Sequence, residues 1–221
     1  MLWNAVHILA PFVLGYGLGS IPFGLLLTCA AGLGDIRKVG SGNIGATNVL
    51  RTGRKGLAAA TLVLDALKGV AAVLIASTFG PLAAIAAALG AVLGHMFSVW
   101  LSFKGGKGVA TTLGVMWGLA WPAGAVACAA WLLLAALFRY SSLAALFGVA
   151  LGALAAWFVV DTRTAIVITL LVPLVWQRHH ENIRRLLAGT ESKIGQLTQF
   201  DNLQAPAAPG IGHNNPPSDA T

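Results

Sequence analysis

Charge is scarce in this chain. Asp, Glu, Lys and Arg make up 10% of its 221 residues, against about a quarter in soluble domains. Acidic residues are scarcer still, since 7 Asp and Glu face 14 Lys and Arg for a formal charge of +7. Cysteine is nearly missing. The 2 present, Cys29 and Cys128, lie inside apolar runs, which excludes a disulfide scaffold and reads as two reduced, buried thiols. Apolar side chains take the place of charge, at 57% of residues and a mean hydropathy of +0.79. That excludes a disordered chain and a collagen. A soluble globular enzyme could not hide so much apolar surface, so a polytopic membrane protein remains. The basic excess then reads as cytoplasmic loops beside anionic headgroups, not as a nucleic-acid footprint. No Lys or Arg precedes the first apolar run, and no convincing cleavage site follows it, so it is expected to be retained as a span.

A spanning helix needs roughly 20 mostly apolar residues. Ala5 to Ala30, Leu57 to Thr78, Leu82 to Ser98, Leu143 to Val160 and Thr164 to Trp176 are candidates, and residues 109–137 form one further apolar stretch. As a single helix that stretch would rise about 43 Å across a hydrocarbon core of roughly 30 Å. Proline favours helix starts over interiors, so Trp121-Pro122 predicts a turn and two spans, the first being Val109 to Leu119. Charge separates seven spans from six. With seven, twelve of the fourteen Lys and Arg share one side, while Arg163 lies opposite and Lys68 inside a span. With six the cations split almost evenly, so the positive-inside rule prefers seven. The expected fold is an all-α polytopic membrane protein with seven transmembrane helices, its N-terminus outside and its C-terminus cytoplasmic. Residues 1–198 form the membrane domain. Residues 199–221, rich in Pro, Ala, Asn and Gly, are expected to be a disordered cytoplasmic tail. Val109 to Leu119 is short for a crossing and is expected to tilt, or to start from a loop that dips into the membrane.

This arrangement gathers three polar segments on the cytoplasmic face. The first, Ser41-Gly42-Asn43-Ile44-Gly45-Ala46-Thr47-Asn48-Val49-Leu50-Arg51, alternates glycines with short hydrogen-bonding side chains and ends in an arginine. Glycine lets backbone N–H groups approach a ligand, and arginine can fork onto two phosphate oxygens. Turn and capping preferences alone would explain its Ser, Gly and Asn, but less well its lack of any charge except a cation. In the second, Lys104-Gly105-Gly106-Lys107-Gly108 opens an apolar helix. Free N–H groups at a helix start, the helix dipole and two ammonium groups make an anion site. It is not a Walker A loop, because Leu101 and Gly108 stand where that pattern needs Gly and Ser or Thr. Membrane anchoring would explain two lysines but not three glycines. The third, Arg178 to Glu191, reads as a short basic helix leaving the last span. Its His179 and Asn182 share a face. Adjacent His179 and His180 do not converge, so no metal site is expected. A basic amphipathic helix on the membrane surface is the competing reading. Asp65 and Lys68, three apart inside a span, read as neutralising each other. Together the segments suit a phosphate-bearing substrate from the cytosol and an apolar partner from lipid, hence a lipid-headgroup enzyme. The rival is an anion transporter, for which inverted repeats and midplane polar residues are lacking.

The runs SGNIGATNVLR (41–51), GHMFSVWLSFKGGKGVAT (94–111) and HHENIRRLLAGTE (179–191) resemble, in order, the three motifs of the PlsY family, the bacterial acyl-phosphate-dependent glycerol-3-phosphate acyltransferases. The likeness runs from Ser20 to about Gly195. Two positions depart from it: no proline stands at Ser98 or Val99, and His180 stands where the family often has arginine. The resemblance implies a seven-helix enzyme of the bacterial inner membrane, active on its cytoplasmic face. It would move an acyl group from a fatty acyl-phosphate to the 1-hydroxyl of glycerol 3-phosphate, giving 1-acyl-glycerol 3-phosphate (lysophosphatidic acid) and phosphate. This is a step of phospholipid biosynthesis that needs no cofactor, metal or nucleic acid. The enzyme making acyl-phosphate would stand before it and the next acyltransferase after it. Lys104, Gly105, Gly106, Lys107, Gly108 and Thr111 would hold the acyl-phosphate. Ser41, Asn43, Thr47, Asn48, Arg51, His179 and Asn182 would hold glycerol 3-phosphate, with Ser20 and Ser142 as further candidates. Many glycerolipid acyltransferases use a His-x4-Asp pair. Here Trp100 and Arg184 stand five residues after His95 and His179, so that pair is missing. A substrate phosphate oxygen is therefore expected to take the hydroxyl proton, with His95 as the reserve base.

Overall fold

The computed structural model describes residues 2–196, so the tail expected over 199–221 lies outside the described residues. Among the described residues every regular element is helical: α1 (Leu2–Ser20), α2 (Phe23–Ala30), α3 (Ala46–Leu50), α4 (Lys55–Ser77), α5 (Pro81–Met96), α6 (Val109–Leu119), α7 (Trp121–Phe138), α8 (Ser141–Val159), α9 (Thr162–Arg178) and α10 (His180–Leu187). Five stretches are long and apolar enough to cross a bilayer, namely His7–Ala30, Lys55–Ser77, Pro81–Leu101, Trp121–Phe138 and Ser141–Val159. α9 has 17 residues. α6 has 11, a rise of about 16 Å.

The expected break in 109–137 is present. Ala120 leaves helical geometry at φ −155 and ψ 74, and α7 begins at Trp121 with Pro122 in its first turn. The first expected span, Ala5 to Ala30, is not one continuous helix. Pro22 offers no N–H to the end of α1, and at φ −91 and ψ 72 it separates α1 from α2. Carbonyls exposed by that break are capped from the turn after α5 and from α4. Ser98 Oγ donates to the Ser20 carbonyl at 2.6 Å, and Lys68 Nζ donates to the Ile21 carbonyl at 2.8 Å. Lys68 is paired with Asp65 at 2.7 Å, as expected, with both side chains buried.

Helices in a membrane gain little from expelling water, so they associate through close packing of small residues. Gly15 and Gly19 of α1 lie on the backbone of Ala87 and Ala91, while Gly90 and Gly94 of α5 lie on the backbone of Phe12 and Tyr16. Two four-residue glycine spacings thus interlock α1 with α5. Gly69 of α4 against Thr111, and Gly114 of α6 against Ala66, bring α4 and α6 together in the same way. The core between them is rich in alanine, including Ala72, Ala76, Ala87, Ala88 and Ala91.

A methyl group at Gly90 would overlap the Phe12 carbonyl, whereas one at Gly17 would meet open space. Gly90→Ala is expected to cost about 1–3 kcal/mol through overpacking, seen as a lower thermal midpoint in detergent. Gly17→Ala should not lower that midpoint.

Candidate active site

The first polar segment is a loop wound around one side chain. Asn48 Nδ2 donates to the carbonyls of Ile36 (3.1 Å), Val39 (3.0 Å) and Asn43 (2.7 Å). Its Oδ1 accepts from the Ser41 N–H at 3.0 Å and the Ser41 hydroxyl at 3.3 Å. Its hydrogen-bonding capacity is used inside the loop, so Asn48 shapes the segment instead of offering the expected contact to a ligand. Gly40 and Gly42, at φ +52 and +68, turn the chain back over α3. Arg51, just after α3, donates to the Ser192 hydroxyl. The Thr47 and Ser141 hydroxyls are 2.8 Å apart.

The glycine-lysine turn joins α5 to α6. The N–H groups of Gly105 and Gly106 donate to the carbonyls of Met96 (3.1 Å) and His95 (3.0 Å). The carbonyls of the same two glycines accept from Arg178. A side chain at either glycine would strike His95. This corrects one expectation, because the Gly105 and Gly106 amides are already paired and cannot bind a phosphate. Among the described residues, the N–H groups of Lys107, Gly108 and the first turn of α6 have no acceptor. Lys104 is exposed. Thr111 is fully buried with no partner for its hydroxyl, and Ser20 is buried. None of these three lines the cavity described below.

α10 turns away from α9 at His179, whose Nδ1 lies 2.7 Å from the Val175 carbonyl. A carbonyl only accepts, so Nδ1 carries the proton and Nε2 is left as an acceptor. Burial is the chief cause that lowers the His179 pKa to about 4, so the ring is neutral near pH 7. The His180 ring turns elsewhere, to the Gln177 carbonyl at 2.9 Å. Asn182 Oδ1 accepts from Lys107 Nζ. Its Nδ2 donates to Glu191 Oε1 at 2.6 Å. Glu191, an acid at the end of the third segment, gathers the site. Ser142 Oγ also donates to its Oε1 (2.7 Å), and Arg185 Nε donates to its Oε2 (2.6 Å). Burial opposes ionisation of Glu191, but these donors outweigh it and hold the carboxyl below its ordinary value. Burial pushes Lys107 the other way, down to about 8, although the Glu191 charge opposes the shift.

All three segments face one cavity of about 340 Å³. Ser41, Asn43, Thr47, Arg51, Lys107 and Asn182 stand at its polar end, with Gly108, Asn48, Ser142, His179 and Glu191. An apolar arm continues from there between Leu62 and Val63 of α4, Leu113 and Trp117 of α6, and Trp131 and Leu132 of α7. His95 and Asp65 also reach the wall, with His95 Nδ1 3.6 Å from Asp65 Oδ1. This His–Asp approach joins two helices, so no local spacing could report it. The polar end suits anionic headgroups, the arm suits an aliphatic chain, and Lys107, Gly108, Val109 and Ala110, whose N–H groups are unpaired, line the same cavity.

A family model described as glycerol-3-phosphate acyltransferase matches residues 9–189. The chain is 63% identical over 183 residues to the glycerol-3-phosphate acyltransferase of Mesorhizobium japonicum, covering 83% of this chain and 94% of that protein. It is 58% identical over 193 residues to the protein of the same name from Brucella canis, covering 87% and 96%. A crystal structure of PlsY (YgiH), an integral membrane glycerol 3-phosphate acyltransferase in its glycerol 3-phosphate form, superposes with a TM-score of 0.80 at 35% identity, over 90% of this chain and 99% of that one. The lysophosphatidic acid form of PlsY gives a TM-score of 0.78 at 35% identity, over 86% and 96%.

If Lys107 holds an anion at the polar end, that binding should depend on pH. Its ammonium is lost as pH rises through about 8. Sulfate keeps its charge across this range, so its dissociation constant should rise several-fold from about pH 7 to about pH 9. Lys107→Arg should flatten the profile. A flat profile in the unaltered protein would remove Lys107 from the anion site.

Proposed function

The chain belongs to the glycerol-3-phosphate acyltransferase family, and we propose that its donor is a fatty acyl-phosphate and that a substrate phosphate oxygen takes the proton of the glycerol 1-hydroxyl. The carrying observation is that Lys107 and the residues with unpaired N–H groups at the start of α6, Gly108, Val109 and Ala110, line the same cavity as Arg51 and Asn182 and as the apolar Leu62, Leu113 and Trp117. An acyl-phosphate lying along the arm puts its phosphate on those donors, as helix N-termini hold phosphates. Thr111, with its unpaired buried hydroxyl in the first turn of α6, does not line the cavity and is left out of this arrangement. Glycerol 3-phosphate fills the rest of the polar end. Arg51, Ser41, Asn43, Thr47 and Asn182 hold it there, and the free Nε2 of His179 accepts from a glycerol hydroxyl.

The 1-hydroxyl oxygen attacks the acyl carbon, the bond from that carbon to the phosphate oxygen breaks, and phosphate leaves. The hydroxyl proton passes to a phosphate oxygen. The products are 1-acyl-glycerol 3-phosphate and inorganic phosphate. The donor is a mixed anhydride, activated before it binds, so orientation and charge stabilisation supply most of what the step requires. A His179 pKa of about 4 makes that ring a weak base, which supports orientation as its role. The two PlsY crystal forms, with glycerol 3-phosphate and lysophosphatidic acid, support the pairing of a polar substrate with an acylated product. Family membership and a polar site at one end of the cavity favour an acyltransferase over an anion transporter.

The same reading takes α1 with α2, then α4 to α9, as seven crossings of the bacterial inner membrane, N-terminus outside and C-terminus cytoplasmic. Twelve of fourteen cations on one side, including Arg51 and Lys107 of the site, support a cytoplasmic active site.

Purified protein should acylate glycerol 3-phosphate from palmitoyl-phosphate and from neither acyl-CoA nor acyl-carrier protein. Transfer from either alternative would overturn the donor assignment. His95→Gln should keep kcat within about tenfold of the unaltered enzyme, an effect of the size expected from lost packing. A loss of the 10²–10⁴-fold typical of a general base, with substrate binding intact, would make His95 the base. Arg51→Lys replaces a fork with a point charge and should raise the KM for glycerol 3-phosphate. An unchanged KM takes Arg51 out of the site.

A further inference from the structure

Arg178, the last residue of α9, touches no substrate position, yet it meets the glycine-lysine turn from 72 residues away. Its Nη2 donates to the Gly105 carbonyl at 2.9 Å and its Nε to the Gly106 carbonyl at 3.2 Å. The guanidinium also lies 5.4 Å from the centre of the Phe97 ring. It is half-buried, and neither Arg178 nor the two glycines line the cavity.

In a trans peptide the carbonyl and the following N–H point in opposite directions, and no cis peptide occurs among the described residues. Holding the Gly105 carbonyl therefore turns the Gly106 N–H away from Arg178, and that N–H reaches the His95 carbonyl. Holding the Gly106 carbonyl likewise turns the Lys107 N–H away from Arg178. That N–H meets no acceptor among the described residues, and Lys107 lines the cavity. We infer that Arg178 is a positioning residue, whose grip on two consecutive carbonyls aims the Lys107 amide and side chain at the phosphate of the acyl donor. A planar fork suits this task, because one side chain must reach two acceptors in fixed relation. The inference rests on the acyl-phosphate reading given under Proposed function.

Steady-state kinetics of the purified full chain, with palmitoyl-phosphate and glycerol 3-phosphate varied in turn, test it. Arg178→Gln should raise the KM for palmitoyl-phosphate about tenfold or more, approaching the effect of losing one preorganised donor. The KM for glycerol 3-phosphate should rise clearly less than that of the donor, because among its ligands only Asn182 meets the turn, through the Lys107 side chain. Arg178→Lys can reach only one carbonyl and should recover a minor part of the loss. In Arg178→Ala, low concentrations of guanidinium should restore part of the donor affinity. If Arg178→Gln does not fold, the same donor-selective rise in Arg178→Lys carries the test. An unmoved donor KM overturns the inference. An equal rise in both KM values with a lowered thermal midpoint overturns it too, making Arg178 an anchor of the fold alone. An unaltered enzyme that uses no acyl-phosphate would instead overturn the donor reading.

Discussion

The site depends on one carboxylate among cations. Lys107, Arg51 and Arg185 converge on a small, partly buried space, where like charges repel more strongly than in water. Glu191 offsets that repulsion and fixes the geometry together. One oxygen accepts from Ser142 at the start of α8 and Asn182 of α10, and the other accepts from Arg185. Through Asn182 the arrangement extends to the Lys107 ammonium. A carboxylate this buried persists because donors satisfy both of its oxygens. These bonds hold the cations at fixed positions around the carboxylate.

That assembly needs a frame in which helices approach more closely than ordinary side chains permit. Glycine supplies it between α1 and α5 and between α4 and α6. Close contact of α6 with α4 brings the start of a short helix against the bundle, and the turn before it folds between the end of α5 and the end of α9. Both peptide faces of Gly105 and Gly106 are then engaged, one by the carbonyls of His95 and Met96 and the other by Arg178. The glycines are there because the backbone itself must reach these partners.

Much of this was legible in the sequence because it is local. Apolar run lengths, the proline after Trp121 and the three polar motifs gave the helices, the break at Ala120 and most of the residues at the cavity's polar end. What was not legible lies across helices. Nothing in the spacing of Arg178 links it to Gly105, and nothing in the spacing of His95 links it to Asp65. Asn48 looked like a ligand contact because its amide can serve a substrate or its own loop equally well, and only geometry shows that the loop takes all of it. Glu191 is hard to single out because a lone acid after a basic helix looks like surface charge. The available signal was that it is one of only 7 acidic residues in the chain and closes the third motif. Lys104 was grouped with Lys107 by their shared turn, yet three residues of a tight turn put one outside and the other inside.

The buried Lys68–Asp65 pair shows how far a polar group can be carried into an apolar bundle before it must have a function of its own. Charge inside a span is expensive and commonly marks a functional site. Here the lysine answers a specific need, since the interruption at Pro22 leaves the Ile21 carbonyl to be satisfied away from water. Asp65 then neutralises the lysine, and His95 stands beside Asp65 with its own carbonyl holding Gly106. A break in the first helix is thus connected, group by group, to the turn that presents Lys107. These groups need no role in proton transfer to account for their burial. Their positions follow from satisfying a carbonyl, then a charge, then a peptide N–H. On this reading the chemistry of the cavity is left to the cations and amides at its polar end.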